Sequence, residues 1–252
     1  RALEGIDIYF VSNQANEVKE IQPEFRVTGK QPELWNAIDG SIRPLPAYQQ
    51  KEDATMVPMK LAPYESAFVV FRDKAAASPS LNLIDNYPEE QVLEELQGPW
   101  EVQFDPSRRG PGEPVTFQAL QDWTTSSDEQ IKYYSGEATY VIPFTLPEKQ
   151  EGETIWLDLG SLTAMAKVHV NGMYAGGVWT PPYRVNITDQ VQAGENQLEV
   201  TVVNNWMNRV IGDLKLPKAK RETWCLVNPY NENSPLQPSG LFGPVTIKRI
   251  NY

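Results

Sequence analysis

The stretch best suited to ligand chemistry is an aromatic loop at residues 176–184, Gly-Gly-Val-Trp-Thr-Pro-Pro-Tyr-Arg. Trp179 and Tyr183 offer flat apolar rings that can cover the C–H face of a sugar, and Arg184 can donate hydrogen bonds to its hydroxyls. The two prolines restrict the backbone between the rings. The alternative is structural: Trp179 closes one end of the fold and Arg184 pairs with an acidic residue.

A second stretch of interest, residues 204–213, reads Asn-Asn-Trp-Met-Asn-Arg-Val-Ile-Gly-Asp. It holds four further candidates for sugar contact: Asn205, Trp206, Asn208 and Arg209. Such a polar and aromatic segment can line a binding edge or dock on another domain. The alternative is that Arg209 and Asp213, four positions apart, form an ion pair that braces the loop.

No combination of residues predicts a catalytic site within this chain. The adjacent acids at 89–90 and 94–95 fall beside a linker, where no pocket is expected, and are interpreted as a solvated face. The single cysteine, Cys225, and the single histidine, His169, are not brought together by any sequence feature. A Cys–His nucleophilic pair is therefore not expected.

The net charge and the small number of His and Cys residues restrict the partners and metal ions that the chain is expected to bind. Thirty-three acidic residues against 22 basic give a net charge of -11, which opposes nucleic acid and anionic membranes and favours neutral ligands. One His and one Cys disfavour a zinc site. No cofactor is predicted, although a structural calcium stays open because oxygen ligands are abundant. No apolar run approaches the roughly 20 residues that span a bilayer, so no membrane insertion is expected.

Both candidate stretches are held by a predicted antiparallel unit. Alternating apolar and polar residues predict strands at 166–170 and 198–203. Asn171-Gly172 follows the first strand and suits a two-residue hairpin turn with positive φ angles. A long polar loop at 221–239, which contains Trp224 and Tyr230, is expected to fold over the same edge of the sheet.

The whole chain is predicted to be all-β, because 21 prolines and 16 glycines break up long helices and strands recur with turns between them. Three parts are expected: a small antiparallel β module at 1–73, a linker with a short helix at 74–92, and a jelly-roll β-sandwich at 93–252. The helix is placed at 88–96, and strands of the small module near 6–11, 24–27, 55–61 and 66–71. Because the chain starts with Arg1 rather than Met, we expect a piece of a longer polypeptide.

Several spaced motifs carry a resemblance to known families. Five motifs resemble the sugar-binding, galactose-binding-like β-sandwich of family 2 glycoside hydrolases. They are Val-His-Val-Asn-Gly, the aromatic loop, Asn-Ile-Thr-Asp-Gln-Val, Gly-Glu-Asn-Gln-Leu-Glu-Val and Val-Val-Asn-Asn. Trp-Met-Asn-Arg-Val-Ile-Gly-Asp and Ser-Gly-Leu-Phe-Gly-Pro-Val are similar to the C-terminal accessory region of family 106 enzymes, the α-L-rhamnosidases. The resemblance covers residues 93–252 well and residues 1–73 more loosely.

The resemblance implies a non-catalytic accessory region whose catalytic barrel, with its two carboxylates, lies outside residues 1–252. It also implies carbohydrate and the missing N-terminal catalytic domain as partners, and a secreted or periplasmic location. The alternatives are a purely structural domain that packs on the barrel and an independent carbohydrate-binding module. The sugar, its linkage and the oligomeric state stay open.

Overall fold

A computed structural model describes residues 2–3, 5–74, 82–150 and 152–251. These residues are mostly in β-strands, so the predicted all-β class is confirmed. The chain divides into two compact units. The first comprises Arg1–Gln91 with Glu151–Thr154 and Arg249–Tyr252, and the second comprises Val92–Gln150 with Ile155–Lys248.

The first unit is built from short antiparallel strands. In chain order its described strands are β1 (Ala2–Leu3), β2 (Ile6–Ser12), β3 (Lys19–Ile21), β4 (Glu24–Phe25), β5 (Lys30–Trp35), β6 (Ile42–Pro44), β7 (Gln49–Gln50), β8 (Thr55–Met56), β9 (Met59–Leu61) and β10 (Ser66–Lys74). They form a five-stranded sheet β1-β2-β10-β5-β6, a three-stranded sheet β4-β8-β7 and the pair β3-β9. A short helix, α1 (Leu83–Asn86), follows.

Strand alternation gives the five-stranded sheet two different faces. Val69 and Phe71 of β10 and Leu34 of β5 point into the core of the unit. The opposite face carries a row of apolar residues that pair across four strands: Phe10, Phe68, Trp35 and Ile42. The outer members, Phe10 and Ile42, are 62% and 50% exposed.

The remaining strands form a β-sandwich. They are β11 (Gln91–Glu95), β12 (Trp100–Phe104), β13 (Val115–Phe117), β14 (Glu137–Leu146), β15 (Glu153–Asp158), β16 (Ser161–Thr163), β17 (Met165–Val170), β18 (Met173–Val178), β19 (Arg184–Asn186), β20 (Gly194–Val203), β21 (Gly240–Gly243) and β22 (Thr246–Asn251). A six-stranded sheet β13-β12-β14-β20-β17-β18 and a four-stranded sheet β11-β22-β15-β19 supply the core, with β16-β21 as a further pair. Two helices, α2 (Glu129–Lys132) and α3 (Met207–Leu214), lie in the loops.

The core of the sandwich is a continuous apolar layer. Val102, Tyr140 and Val200 from the six-stranded sheet share it with Leu157 and Ile247 from the four-stranded sheet, and all five are buried. One pair of buried polar groups in this layer satisfies its hydrogen-bonding needs within the core. The Trp123 Nε1 donates to the Tyr140 hydroxyl at 2.6 Å, and burial raises the pKa of Tyr140 to about 12.

The predicted hairpin is confirmed. Asn171 and Gly172 have φ angles of 53° and 76° and join β17 to β18, with Val170 opposite Met173. Both central residues therefore adopt the left-handed conformation of a type I′ turn. His169 lies on β17 with its ring 5.4 Å from that of Tyr174.

The helix predicted at 88–96 is wrong: Gln91–Glu95 form β11, an edge strand beside β22. A short apolar run among glutamates fits either period, and pairing with a distant strand decides between them. Leu96 N–H donates to the Val245 carbonyl at 2.9 Å, and Leu96 is buried in the sandwich core. Part of the predicted linker, residues 75–81, lies outside the described residues.

Candidate functional site

One end of the six-stranded sheet gathers the two stretches singled out from the sequence. Phe104, Ala138, Val202, Ala166 and Val178 form one buried row across five strands. The chain leaves β18 just past this row into residues 179–183, and leaves β20 just past it into 204–206. Since neighbouring strands lie about 4.8 Å apart, these exits are roughly 10 Å apart. We call residues 179–183 and 204–239 the aromatic end.

Three tryptophans of the aromatic end are accessible to a ligand: Trp224 is 81% exposed, Trp206 is 54% exposed and Trp179 is 53% exposed. The ring of Trp206 lies 6.3 Å from the ring of Tyr230 at an interplanar angle of 69°. This edge-to-face arrangement supports Trp206 while leaving much of its surface open.

The backbone beside Trp206 is held by amide side chains. Asn205 Oδ1 accepts from the Met207 N–H at 3.1 Å at the start of α3. Asn208 is fully buried, and its amide donates to the Gln237 carbonyl at 2.7 Å and accepts from the Gln237 N–H at 2.8 Å. Asn208 therefore ties α3 to the loop that closes the aromatic end, and its polar atoms are already paired.

Beneath this loop lies a buried ion-pair cluster around Asp213. The Asp213 carboxylate lies 3.1 Å from the Arg209 guanidinium and 3.5 Å from that of Arg109. Its other oxygen accepts from the Glu222 and Thr223 N–H groups at 2.9 and 2.8 Å and from the Thr223 hydroxyl at 2.9 Å. The bracing ion pair named as the alternative for Arg209 is therefore present. Although burial raises the pKa of Asp213, these hydrogen bonds and Arg209 outweigh it and hold that pKa below its usual value.

The residues of the aromatic loop at 176–184 lie in different environments. Tyr183 is partly buried against the sandwich core, and burial raises its pKa. Arg184 begins β19, and its Nε donates to Asp158 at 2.9 Å; Lys248 donates to the same oxygen at 2.8 Å. Burial opposes the charge of Asp158, but Lys248 and Arg184 keep its pKa below the usual value. Of this stretch, Trp179 is the residue most open to solvent.

Sequence reasoning missed several residues that shape this end. They are Asp158, Lys248 and Arg109. Lys248 donates to Asp158 across 90 positions of the sequence, and Arg109 donates to the Lys220 carbonyl across 111. No local pattern signals such pairs. Trp224 was noted only as part of a long loop, yet it is 81% exposed.

Neither a metal-binding cluster nor a membrane-spanning helix is found among the described residues. Among the residues that the structure describes, no group of three or more His, Cys, Asp or Glu side chains is placed to hold a metal ion. The expectation of no cofactor, with a structural calcium left open, stays a prediction. None of the described helices has the length and apolar character needed to cross a bilayer.

Comparison with family models supports the predicted resemblance. Residues 1–50 match the model of glycosyl hydrolase family 106, alpha-L-rhamnosidase. Residues 118–228, which include the aromatic end up to Asn228, match the glycosyl hydrolase 2 galactose-binding domain-like model. Parts of the chain are therefore similar to family 106 enzymes and to the galactose-binding-like β-sandwich of family 2, the two families that the motifs resemble.

Two known proteins are similar to this chain over longer stretches than the family models. A solved rhamnosidase from Novosphingobium sp. PP1Y matches 99% of this chain with 40% identity and a TM-score of 0.90. A protein from Formosa agariphila, named "Putative beta-glucuronidase", is 36% identical over 177 residues, or 60% of this chain. The chain spans 23% of the rhamnosidase and 15% of the Formosa protein.

Proposed function

We propose that this chain is a non-catalytic accessory region of a glycoside hydrolase and that it contacts carbohydrate through the aromatic end. The observation that carries the proposal is the pair of half-exposed tryptophans, Trp179 and Trp206, at one end of a sheet in a galactose-binding-like domain. Exposed indole rings are costly to leave in water and suit the apolar face of a sugar ring. The secreted or periplasmic location follows from the same class of substrate.

The carboxylates of this end support a non-catalytic role. A glycosidase needs a carboxylic acid with a raised pKa and a second carboxylate facing it across the scissile bond. Asp213 and Asp158 instead lie against cationic side chains, and both have lowered pKa values. Such groups brace loops and are poor proton donors. In the parent protein, the reacting carboxylates then belong to another region.

Binding of neutral oligosaccharides to the purified 252-residue chain tests the proposal. Isothermal calorimetry with rhamnose- and galactose-containing oligosaccharides should give saturable binding, weakened about fivefold or more by Trp206→Ala, since a central aromatic contact is worth more than about 1 kcal/mol. Tyr174→Ala is the matched control, because Tyr174 is 60% exposed and lies beside the hairpin at the opposite end. The absence of binding by the unaltered chain would overturn the proposal.

A second candidate, a structural role in packing on the rest of the parent protein, is favoured by the apolar row of the first unit. Phe10 and Ile42 lie at its two ends, on the sheet face opposite the core, and this unit contains the match to the rhamnosidase model. Exposed apolar rows of this kind are typical of domain interfaces. Phe10→Ser should then destabilise the full-length enzyme more than the isolated chain, as measured by thermal unfolding of both. Equal effects in the two proteins would exclude this role for the row.

A further inference from the structure

The most basic stretch of this acidic chain lies at the aromatic end. Residues 214–221 read Leu-Lys-Leu-Pro-Lys-Ala-Lys-Arg, with four basic residues and no acidic one, in a chain whose net charge is -11. The stretch starts at the last residue of α3 and continues through a short 3₁₀ turn, Lys218–Lys220. We call residues 214–221 the basic segment.

The basic segment has a defined position on the fold. Arg221 donates to the carbonyls of Leu216 and Leu214, both at 2.9 Å, and so closes the C-terminal end of α3. Arg109 donates to the Lys220 carbonyl at 2.5 Å from a distant loop. The segment is therefore fixed at both ends of its turn by guanidinium groups that bind its backbone.

Lys132 adds a fourth lysine beside the three lysines of the basic segment. The ammonium of Lys215 lies 5.5 Å from the centroid of the Tyr133 ring, and that of Lys132 lies 6.0 Å from the same centroid. Tyr133 is itself buried, and its ring lies near both ammonium groups, of which Lys215 belongs to an exposed residue and Lys132 to a partly buried one. Glu129 and Glu232 lie close enough to act on Lys215 electrostatically.

The helix dipole explains only part of this charge. Basic residues near a helix C-terminus are favourable, which accounts for Lys215 and Arg221. Lys218 and Lys220 lie beyond the helix, are exposed, and form no ion pair within the part of the chain that the structure describes. These two lysines are available to an external anion.

An exposed aromatic ring adjoins the basic segment. Trp224 follows Thr223, whose N–H and hydroxyl are bound by the buried carboxylate of Asp213. Its side chain is 81% exposed. Trp206 lies at the other end of α3, and a helix of eight residues is about 12 Å long, the span of two to three sugar units.

We propose that the basic segment, with Trp224, extends the carbohydrate-binding site of the aromatic end to anionic polysaccharide, whose carboxylate or sulfate groups contact Lys218 and Lys220. The inference rests on the proposed function, since it names the class of carbohydrate that this end prefers. Ammonium groups supply the charge contact and the indole covers the sugar ring.

The acidic remainder of the chain does not oppose such local binding at physiological salt. The Debye length is about 8 Å at 0.15 M, so an anion on the basic segment is screened from acids that lie farther away. Net charge alone favoured neutral ligands. The local arrangement of lysines reverses that expectation for this one surface.

Affinity electrophoresis of the full chain in gels containing polysaccharide tests the inference. Polygalacturonate supplies carboxylates and dextran sulfate supplies sulfates, while neutral galactan and dextran serve as uncharged counterparts. The test variant is Lys218→Gln/Lys220→Gln and the control is Lys51→Gln/Lys60→Gln, which removes the same charge from exposed lysines of the first unit. Thermal unfolding of each variant verifies that it is folded.

We expect retention by at least one anionic polysaccharide to be weakened about five- to tenfold in Lys218→Gln/Lys220→Gln, a loss of about 1–1.4 kcal/mol in binding free energy for the two surface charge contacts together. Retention by neutral galactan should not change, and the control variant should behave as the unaltered chain. Which anionic gel retains the protein identifies carboxylate or sulfate as the recognised group.

Three outcomes would overturn the inference. Equal losses in the two lysine variants would show an effect of net charge alone. Equally tight binding to double-stranded DNA would show a surface that takes any polyanion. Retention by neutral galactan without preference for either anionic gel would reject the inference while leaving the proposed function standing, whereas no retention in any gel would reject both.

Discussion

Replacement of Asp213 by alanine should destabilise the second unit by about 3–5 kcal/mol, because the substitution leaves the largely buried Arg209 without its counter-charge, whereas Arg109 keeps its ion pair with Glu222. The carboxylate is almost fully buried and is approached by the guanidinium groups of Arg209 and Arg109. It also accepts hydrogen bonds from the N–H groups of Glu222 and Thr223 and from the Thr223 hydroxyl. A simple sum of these bonds would exceed the stated range, but contacts within one network are not additive.

Urea unfolding followed by tryptophan fluorescence measures this loss. Asp213→Asn keeps an acceptor for the two backbone N–H groups but removes the charge, so its effect should be smaller than that of Asp213→Ala. Asp189→Ala is the control, since Asp189 is exposed and should change the free energy of unfolding by less than about 0.5 kcal/mol. Trypsin should also cleave the basic segment faster in Asp213→Ala, because the loop after it is released. A loss below about 1 kcal/mol would refute the proposed role of the cluster.

Three further predictions concern other parts of the second unit. Gly212→Ala should destabilise α3, although alanine usually favours a helix, because the added Cβ would lie 2.6 Å from the Tyr133 ring. Gly112→Ala is the control, since the space around Gly112 is open. A Gly212→Ala variant that is more stable than the unaltered chain would contradict this packing. Tyr140→Phe should cost about 1–3 kcal/mol in urea unfolding, since a buried indole N–H loses its acceptor; an unchanged midpoint would show that the bond is not needed. The folded-state pKa of Asp158 is lowered, so its contribution to stability is present above about pH 4 and is lost as the pH falls through that lowered value. The stability difference between the unaltered chain and Asp158→Asn should therefore shrink from pH 7 to pH 3, and a constant difference would argue against this assignment.

The strands of the sandwich can largely be predicted from the sequence, because the alternation of apolar and polar residues is a local pattern. The segments 166–170 and 198–203 were predicted and lie within β17 and β20. The helix predicted at 88–96 shows the limit of this approach: a short segment rich in glutamate and leucine takes the form that its partner strand imposes. The type of each long element is thus set by its own residues, and that of short edge elements by their neighbours.

The candidate site shows the same division. Trp179 and Trp206 were identified from residue type and loop position, because flat apolar rings near arginine and amide side chains suit a sugar, while a structural role for Trp179 was left open as the alternative. Sequence spacing also suggested the pair between Arg209 and Asp213, which are neighbours on one helix face. Binding by the predicted residues stays a prediction until the tests above are made.

What the sequence determined by itself is the all-β class, the type I′ turn at Asn171-Gly172, and the presence of aromatic residues after two strands, since each depends on residues close together in the chain. Only the tertiary structure decided which charges are available. Arg184 and Arg209 lie in internal ion pairs, whereas Lys218 and Lys220 face solvent. The partners that make this difference are not neighbours in sequence: Asp158 meets Arg184 only when β15 and β19 pair within one sheet.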